Sequence, residues 1–338
     1  MNEKNGIDHR YLAVGLGSED PIFFKNGNPL VTERNAVWMK TARSIAIKAT
    51  NRALEKWGGD RNRITHVVFH SCTGFKAPGI ELDIVDECSL SGVKRRLGIN
   101  FMGCFGGFTG MAVAKAFVEA DPGALVLLVC AEVCSVHFTT TEDRSRAIGN
   151  SVFADGAAAV IIGAGKPGDW VISGQSTHTL GKETRDFMTW LPGNGPYQMF
   201  LSKEIGGALG KKLLPLFLQM TVKLGFRNIG DIEWCIHPGG RKFLDIFGDM
   251  MALGGRKNLE HSYEILREYG NMSSPTIFFV LQRMMEKQEK QGNESRKTHA
   301  VCMGFGPGLT VEVTTLQRAG GTSSGVANCG GEVSVREK

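Results

Sequence analysis

The sequence lacks the features of a membrane protein, a disulfide scaffold and a structural zinc protein. No apolar stretch approaches the roughly 18 residues of a membrane span, and the N-terminal residues MNEKNGIDHR contain no apolar signal segment. Eight cysteines are scattered through 338 residues without a CxxC pair. We therefore expect no membrane span, no bound metal and a reducing, cytoplasmic environment, with organelle targeting by a preceding segment as the alternative.

Long runs of one charge sign are also absent. The net charge is +5, and the basic cluster Lys94–Arg96 is interpreted as a solvated turn, with contact to a phosphate as the alternative. This distribution does not favour a nucleic-acid partner. The hydrophobic share of 42% is typical of a globular chain of enzyme size.

Helical and strand patterns alternate along the chain, which predicts an α/β protein. Helices are predicted at 35–57, from about 79, at 106–120, at 204–223, at 242–253 and at 270–287. Strands are predicted at 64–71, 99–104, 124–133, 153–165, 170–180 and 232–240, followed by two strands around a Gly-Pro turn at 298–316.

The spacing of polar residues at predicted strand ends repeats. Cys104 follows His70 at the same interval at which Asn271 follows His237, and both Cys104 and Asn271 stand at the start of a predicted helix. This repeat predicts two similar halves, residues 1–168 and 169–318. The Gly/Ser-rich segment 319–338 is predicted to be a disordered tail.

The segment GAGKPG, residues 163–168, matches the dinucleotide fingerprint G-x-G-x-x-G. That fingerprint requires a helix whose N-terminus holds the pyrophosphate. Pro167 and the strand pattern that follows predict a turn between strands instead. We therefore expect no nicotinamide or flavin cofactor.

Cys104 is the first candidate catalytic residue. In NFMGCFGGF it enters a helix whose positive dipole end lowers the pKa of a thiol, and the neighbouring glycines leave room for a carbonyl group. A buried, inert cysteine is the alternative. His237 in HPGG and Asn271 in YGNMSS, each a capping or core residue if taken alone, supply an imidazole and an amide donor from the second half. Such a set can attack a thioester, bind its oxyanion and stabilise a carbanion without a metal.

Several motifs together resemble one family. MGCFGGFTG, VLLVCAEV, FADGAAAVIIGAG, HPGG, EYGNMSS and GFGPGLTVE are similar, in this order, to type III polyketide synthases, the chalcone-synthase-like branch of the thiolase fold. The resemblance extends from about residue 10 to 316 and is closer to microbial and algal members than to plant chalcone synthase. It implies a duplicated, layered αβαβα fold with mixed sheets.

The resemblance also implies an activity and its residues. An acyl-CoA starter would load on Cys104, and His237 and Asn271 would bind the thioester oxygen while malonyl-CoA loses carbon dioxide. The product would be a pyrone, a resorcinol or a phloroglucinol. The residues implied to line the substrate cavity are Cys72, Cys134, His137, Phe153, Trp190, Leu191, Ser273, Gly304, Phe305, Gly306, Pro307 and Gly308. Lys4, Gly239 and Gly240 are implied to contact CoA; no cofactor and no metal is implied.

The sequence departs from the family pattern in two places. Ala77 stands where plant members carry a methionine that reaches into the partner subunit, although a homodimer is still implied. The chain also starts after the region that holds the first strand of the first half. We expect either that this strand is absent, which leaves a sheet edge exposed, or that another element fills the gap.

Two other functions remain compatible with the residues. One is a single condensation on an acyl-carrier protein, as in the related ketoacyl-ACP synthase III group. The other is a catalytically silent, truncated homologue. The starter, the number of extensions and the mode of ring closure depend on cavity shape, which single residues do not determine.

Overall fold

The structure is a computed structural model that describes residues 5–14, 29–139, 141–223, 225, 229–250, 255–290, 296–320 and 333–336. Its helices are α1 (Val31–Trp57), α2 (Ile80–Glu87), α3 (Gly106–Ala120), α4 (Arg144–Val152), α5 (Ile205–Lys223), α6 (Arg241–Met250), α7 (Glu260–Tyr269) and α8 (Thr276–Lys290). Its strands are β1 (His66–Ser71), β2 (Arg95–Asn100), β3 (Val126–Val133), β4 (Asp155–Ala164), β5 (Trp170–Thr179), β6 (Met188–Leu191), β7 (Gln198–Leu201), β8 (Glu233–Ile236), β9 (His299–Gly306), β10 (Thr310–Arg318) and β11 (Val333–Arg336).

Nine of these strands form one mixed sheet in the order β2-β1-β3-β4-β11-β5-β10-β9-β8, and β6 and β7 form a separate antiparallel pair. In the first half, β1 is parallel to β3, which is antiparallel to β4. In the second half, β8 is parallel to β9, which is antiparallel to β10. The same pattern of directions in both halves confirms the predicted duplication, while the boundary at residue 168 stays a prediction.

The strand β11 lies in the segment for which composition predicted disorder. It pairs antiparallel with β4 and β5 and so joins the sheets of the two halves. In the second half, β5 pairs antiparallel with β10, so β11 beside β4 has the position that the missing first strand would have by duplication. A different element therefore fills the predicted gap, since the backbone of Val333–Arg336 pairs with both strands. The disordered tail at 319–338 stays a prediction.

The helices pack in layers around this sheet. Alternate residues of β3 point to opposite faces: Leu128 contacts the cluster that contains α3 and α8, and Leu127 contacts the cluster of α1 and α2. In the second half, β9 separates α8 from α5 and α6 in the same way. The result is an αβαβα arrangement in which α3 and α8 form the central layer.

One predicted strand is displaced. We predicted a strand at 99–104, whereas β2 begins at Arg95 and ends at Asn100 because it pairs in parallel with β1 from His66 to Ser71. Phe101 then leaves the ladder with a φ of 58°. Arg95 and Arg96 of the basic cluster thus lie on an exposed edge strand rather than in a turn, and Lys94 directly precedes it. The predicted helix at 106–120 and the two strands around the Gly-Pro turn are confirmed.

No helix in the described ranges is both long and apolar enough to cross a membrane.

Candidate active site

Cys104 lies in a single 3₁₀ turn, Gly103–Phe105, between β2 and α3. The chain turns sharply here, since Gly103 has a φ of 76°, in the left-handed region that favours glycine. A methyl group at Gly103 would lie 2.4 Å from Cδ of Pro307. Glycine is therefore required before Cys104, because the backbone approaches the turn of the second half closely.

Asn271 reaches the site from the second half. Its backbone bonds to the end of α4, with its N–H donating to Val152 and its carbonyl accepting from Ala154. The side-chain Oδ1 accepts from the N–H of Ser273 at 2.7 Å, which directs Nδ2 the opposite way. Nδ2 lies 3.3 Å from the carbonyl oxygen of Gly239 and 4.0 Å from Sγ of Cys104. An amide donor therefore faces the thiol.

His237 follows β8 directly. Its backbone N–H donates to the carbonyl of Met303 at 2.7 Å, and its carbonyl accepts from Gly239, the residue that Asn271 contacts. The imidazole is fully buried, edge-on to the ring of Phe305. Neither ring nitrogen has a hydrogen-bond partner among the described residues. A buried imidazole without partners is costly, which is consistent with a role that a substrate completes.

Burial shifts the pKa values of Cys104 and His237 in opposite directions. It raises the pKa of Cys104 to about 11, with Asn271 and Ser273 acting in the opposite direction as hydrogen-bond partners. Burial also lowers the pKa of His237 to about 3. Both shifts favour a neutral thiol and a neutral imidazole. The rise in the pKa of Cys104 is opposite to the fall that the helix dipole predicted, because the loss of solvation outweighs the dipole.

A cavity of ≈ 70 Å³ opens beside Cys104. Seven other predicted residues line it, namely Cys72, Cys134, His137, Phe153, Trp190, Ser273 and Pro307. Leu191, the last residue of β6, does not line it and is 58% exposed, whereas Met188, Thr189 and Trp190 of the same strand do. Of the predicted turn residues, only Pro307 lines the cavity, and Gly304, Phe305, Gly306 and Gly308 do not. Gly304 and Gly306 instead make room for the rings of Phe108 and Phe105.

Three rings form one wall of the cavity. His137 stacks on Tyr197 with ring centroids 4.1 Å apart and meets Trp190 edge-on at 5.4 Å. The N–H of Tyr197 donates to Nδ1 of His137, so Nε2 carries the proton that it shares with the carbonyl of Thr73 at 2.7 Å. Burial lowers the pKa of His137 to about 3. This histidine is thus a neutral, hydrogen-bonded wall residue rather than a base.

A buried carboxyl group, which the sequence reasoning missed, organises the adjoining wall at Cys72. Glu132 lies on β3 and accepts hydrogen bonds from the backbone and thiol of Cys72 and from three hydroxyl groups, those of Ser71, Thr73 and Ser274. Burial raises the pKa of Glu132. A glutamate inside the otherwise apolar strand VLLVCAEV was the available signal, since such a residue needs buried partners.

His70 lies next to Gly106, directly after the 3₁₀ turn that contains Cys104. Its ring is fully buried, with Nδ1 3.6 Å from Oε1 of Glu132. A methyl group at Gly106, the first residue of α3, would lie 2.0 Å from Nε2 of His70. The glycine after Cys104 thus lets α3 pack on this ring.

We expect Gly106→Ala to destabilise the protein by about 1–3 kcal/mol, because the added methyl group must displace a buried ring or move α3. Gly207→Ala in α5 is the matched control, since its added methyl group would lie more than 4 Å from every described atom outside its own helix backbone and chain neighbours. It should raise stability by about 0.5–1 kcal/mol. Thermal melts of both variants test this, and equal melting temperatures would contradict the packing argument.

One face of α4 forms a wall that the sequence reasoning identified only at Phe153. Arg146, Gly149, Asn150 and Phe153 all line the cavity. Their spacing of three, four and seven residues places them on one side of a helix, and this spacing was the signal that could have found them. Other cavity residues outside the predicted set include Tyr197, Met188 and Met199.

Arg10 fixes the end of this wall. Its Nη1 donates to the carbonyl groups of Asn150 and Phe153 at 2.7 and 2.9 Å. A guanidinium at the C-terminus of a helix satisfies free carbonyls and complements the helix dipole. Arg10 therefore holds the segment that pairs with Asn271. Lys4, predicted to contact CoA, lies outside the described residues.

The duplicated αβαβα fold, with a cysteine from one half facing an asparagine amide and a histidine-bearing loop from the other, is that of a thiolase-like condensing enzyme. Two sequence profiles match the chain: the N-terminal domain of chalcone and stilbene synthases over residues 1–166 and the C-terminal domain over residues 197–319. The chain belongs to the chalcone and stilbene synthase family.

Several solved structures are similar to this chain over most of its length. The C-terminal type III polyketide synthase domain of Steely1, a type I/III hybrid from Dictyostelium, superposes with a TM-score of 0.84 at 27% identity, over 94% of this chain and 88% of that chain. PKS-I from the brown alga Ectocarpus siliculosus gives 0.86 at 27%, over 94% and 87%. CsyB complexed with CoA-SH gives 0.83 at 26%, over 94% and 89%. The protein is a type III polyketide synthase, an acyltransferase.

Proposed function

We propose that this enzyme loads an acyl-CoA starter on Cys104, extends it by decarboxylative condensation with malonyl-CoA, and cyclises the chain to a pyrone, a resorcinol or a phloroglucinol. The observation that carries the proposal is the amide of Asn271. Its Nδ2 is directed at Sγ of Cys104 by the hydrogen bond between its Oδ1 and Ser273.

In the loading step, Sγ of Cys104 attacks the thioester carbonyl of the starter. The neutral imidazole of His237 accepts the thiol proton and passes it to the departing CoA thiolate, so that free CoA leaves as a thiol. The developing oxyanion receives a hydrogen bond from Nδ2 of Asn271.

In the extension step, malonyl-CoA loses carbon dioxide and becomes an enolate whose oxygen accepts from Asn271 and from a protonated ring nitrogen of His237. The enolate carbon attacks the acyl carbon on Cys104, a carbon–carbon bond forms, and the bond to Sγ breaks. The negative charge of the lost carboxylate thus ends on the Cys104 sulfur, which can accept the lengthened chain again. No metal is needed for this charge balance.

The cavity favours a short chain. Its volume is ≈ 70 Å³, and Nε1 of Trp190 donates to the carbonyl of Cys72 at 2.7 Å, which ties the β6–β7 pair across the side where a longer acyl tunnel would run. Gly239 and Gly240 flank the loop beside Asn271 and are the proposed CoA contacts, together with Lys4. CsyB has been solved with CoA bound.

A homodimer is part of the proposal. The strand β2 is an edge of the nine-stranded sheet with one unpaired side, and Leu97 in it is 38% exposed. Phe75, 52% exposed, packs against Phe101 at the end of this edge. Such an edge is suited to pairing with a second copy. Analytical ultracentrifugation showing only monomer at working concentration would contradict it.

We also propose a reducing compartment such as the cytoplasm. Seven cysteines in the described part of the chain are free, and six of them are buried. Fractionation of the source cells tests this location.

The activity is tested by incubating the purified enzyme with malonyl-CoA and a panel of acyl-CoA starters, followed by mass spectrometry of the products. We expect tri- or tetraketide products from short starters. A single condensation that depends on acyl-carrier protein would favour the ketoacyl-ACP synthase alternative. A folded enzyme that neither loads Cys104 nor releases any product would favour the silent homologue.

A further inference from the structure

The cavity contains one cation that the proposed chemistry does not use. Arg146 lies on the cavity face of α4 and is half-buried. Its backbone N–H donates to the carboxylate of Asp143, which caps the helix. Its guanidinium makes no hydrogen bond and no ion pair with any part of the chain that the structure describes. A half-buried guanidinium with free donors is a ready site for an anion.

No residue that lines the cavity carries a negative charge to balance Arg146. The buried acids closest in the fold are engaged elsewhere: Glu132 accepts from the Cys72 wall, and Asp155 accepts from Ser135 and Ala13. The remaining acids near the helix, Glu142 and Asp143, are exposed and precede it. Among the residues that the structure describes, the positive charge is therefore unbalanced on the cavity side, where the surrounding wall is mostly apolar.

The position of Arg146 places this charge far from the reacting sulfur. Phe153, at the other end of the same helix face, pairs with Asn271 beside Cys104. Seven residues of helix separate Arg146 from Phe153, a rise of about 10 Å. A starter on Cys104 that extends along this wall would bring its far end toward Arg146, since both residues line the same cavity.

We propose that Arg146 binds the terminal carboxylate of the starter, so that the enzyme prefers short acyl-CoA thioesters with a carboxylate at the far end. The inference rests on the proposed function and narrows it to a substrate class. A guanidinium donates two parallel hydrogen bonds to a carboxylate, a geometry that a methyl terminus cannot use. The carboxylate also supplies the missing negative charge in the cavity.

Succinyl-CoA and butyryl-CoA form a matched pair for the test, because both acyl groups have four carbons and differ only at the terminus. We expect the native enzyme to extend succinyl-CoA with a kcat/KM about 10- to 100-fold above that for butyryl-CoA. Arg146→Met should lose this preference by lowering the value for succinyl-CoA and leaving that for butyryl-CoA within about twofold. Arg146→Lys should retain part of the preference, since it keeps the charge without the paired donors.

Arg144→Met is the control variant. Arg144 lies on the same helix but is exposed and does not line the cavity, so its removal should leave the starter preference unchanged. A native enzyme that prefers butyryl-CoA, or an Arg146→Met variant that loses both starters equally, would overturn the proposal. Equal losses would show that Arg146 holds the helix or the CoA moiety.

A binding measurement separates this inference from the proposed function. Calorimetry with Cys104→Ala gives the Kd of each thioester without any reaction, and adding Arg146→Met should weaken succinyl-CoA by about 10-fold or more while leaving butyryl-CoA unchanged. If this selectivity is observed but no starter yields product, the proposed function fails and the carboxylate site stands. If products form but neither measurement shows selectivity, the carboxylate site fails and the function stands.

Discussion

Replacing Cys104 with alanine is expected to abolish acyl loading and to lower product formation at least about 10³-fold. The loss follows because Sγ of Cys104 is the cavity group that the amide of Asn271 faces in the described part of the chain. Intact mass spectrometry after incubation with a starter thioester measures the acyl adduct directly. The native enzyme should gain the mass of one acyl group, and the variant should gain none.

The control for this experiment is Cys88→Ala. Cys88 is buried in the cluster of α1 and α2, away from the cavity, so its removal should leave the adduct unchanged. Cys72 and Cys134 line the cavity and provide a stricter check on which sulfur is loaded. An adduct that persists in Cys104→Ala and maps to either of them would refute the assignment of the nucleophile.

Asn271→Asp should lower the rate of malonyl-CoA decarboxylation by about 10²–10³-fold. The two side chains have the same shape, and the carboxylate still accepts the hydrogen bond from the N–H of Ser273. Its other oxygen, however, replaces the donor that faces Cys104 and the enolate oxygen, so it repels the developing charge. Release of carbon dioxide from radiolabelled malonyl-CoA measures this step separately from loading.

The melting temperature is the necessary control, because the buried carboxylate also faces the carbonyl oxygen of Gly239. A variant that melts within a few degrees of the native enzyme and decarboxylates within about tenfold of it would show that the amide does not stabilise the enolate. The proposed mechanism would then require another donor.

Part of the site could be predicted because local sequence fixes it. The small residues after Cys104 predicted a helix that starts at a tight turn, and α3 has the predicted bounds of Gly106–Ala120. The matching intervals from His70 to Cys104 and from His237 to Asn271 predicted two similar halves. The strand directions confirm the halves, and Asn271 does reach Cys104.

Other features depended on contacts that no local pattern specifies. The pKa of Cys104 was predicted to fall from its position at a helix end, but its burial by the second half raises it. Leu191 and Trp190 are adjacent in sequence, and only the assembled fold places Trp190 in the cavity wall and Leu191 at the surface. In the sequence, nothing distinguishes Arg146 from an exposed arginine, and only the folded structure places it in the cavity wall.

The sequence by itself predicted most of the helices and strands and the duplication, and it proposed Cys104, His237 and Asn271 as the reactive groups, because turn residues and hydrophobic spacing act over a few neighbouring positions. It did not predict α4, α7 or the β6–β7 pair. The tertiary structure decided the direction of the pKa shift of Cys104, the cavity wall on α4 and the entry of Val333–Arg336 into the sheet. These features arise where segments far apart in the chain exclude water from one another or pair their backbones. Solvation and pairing of that kind are properties of the assembled fold.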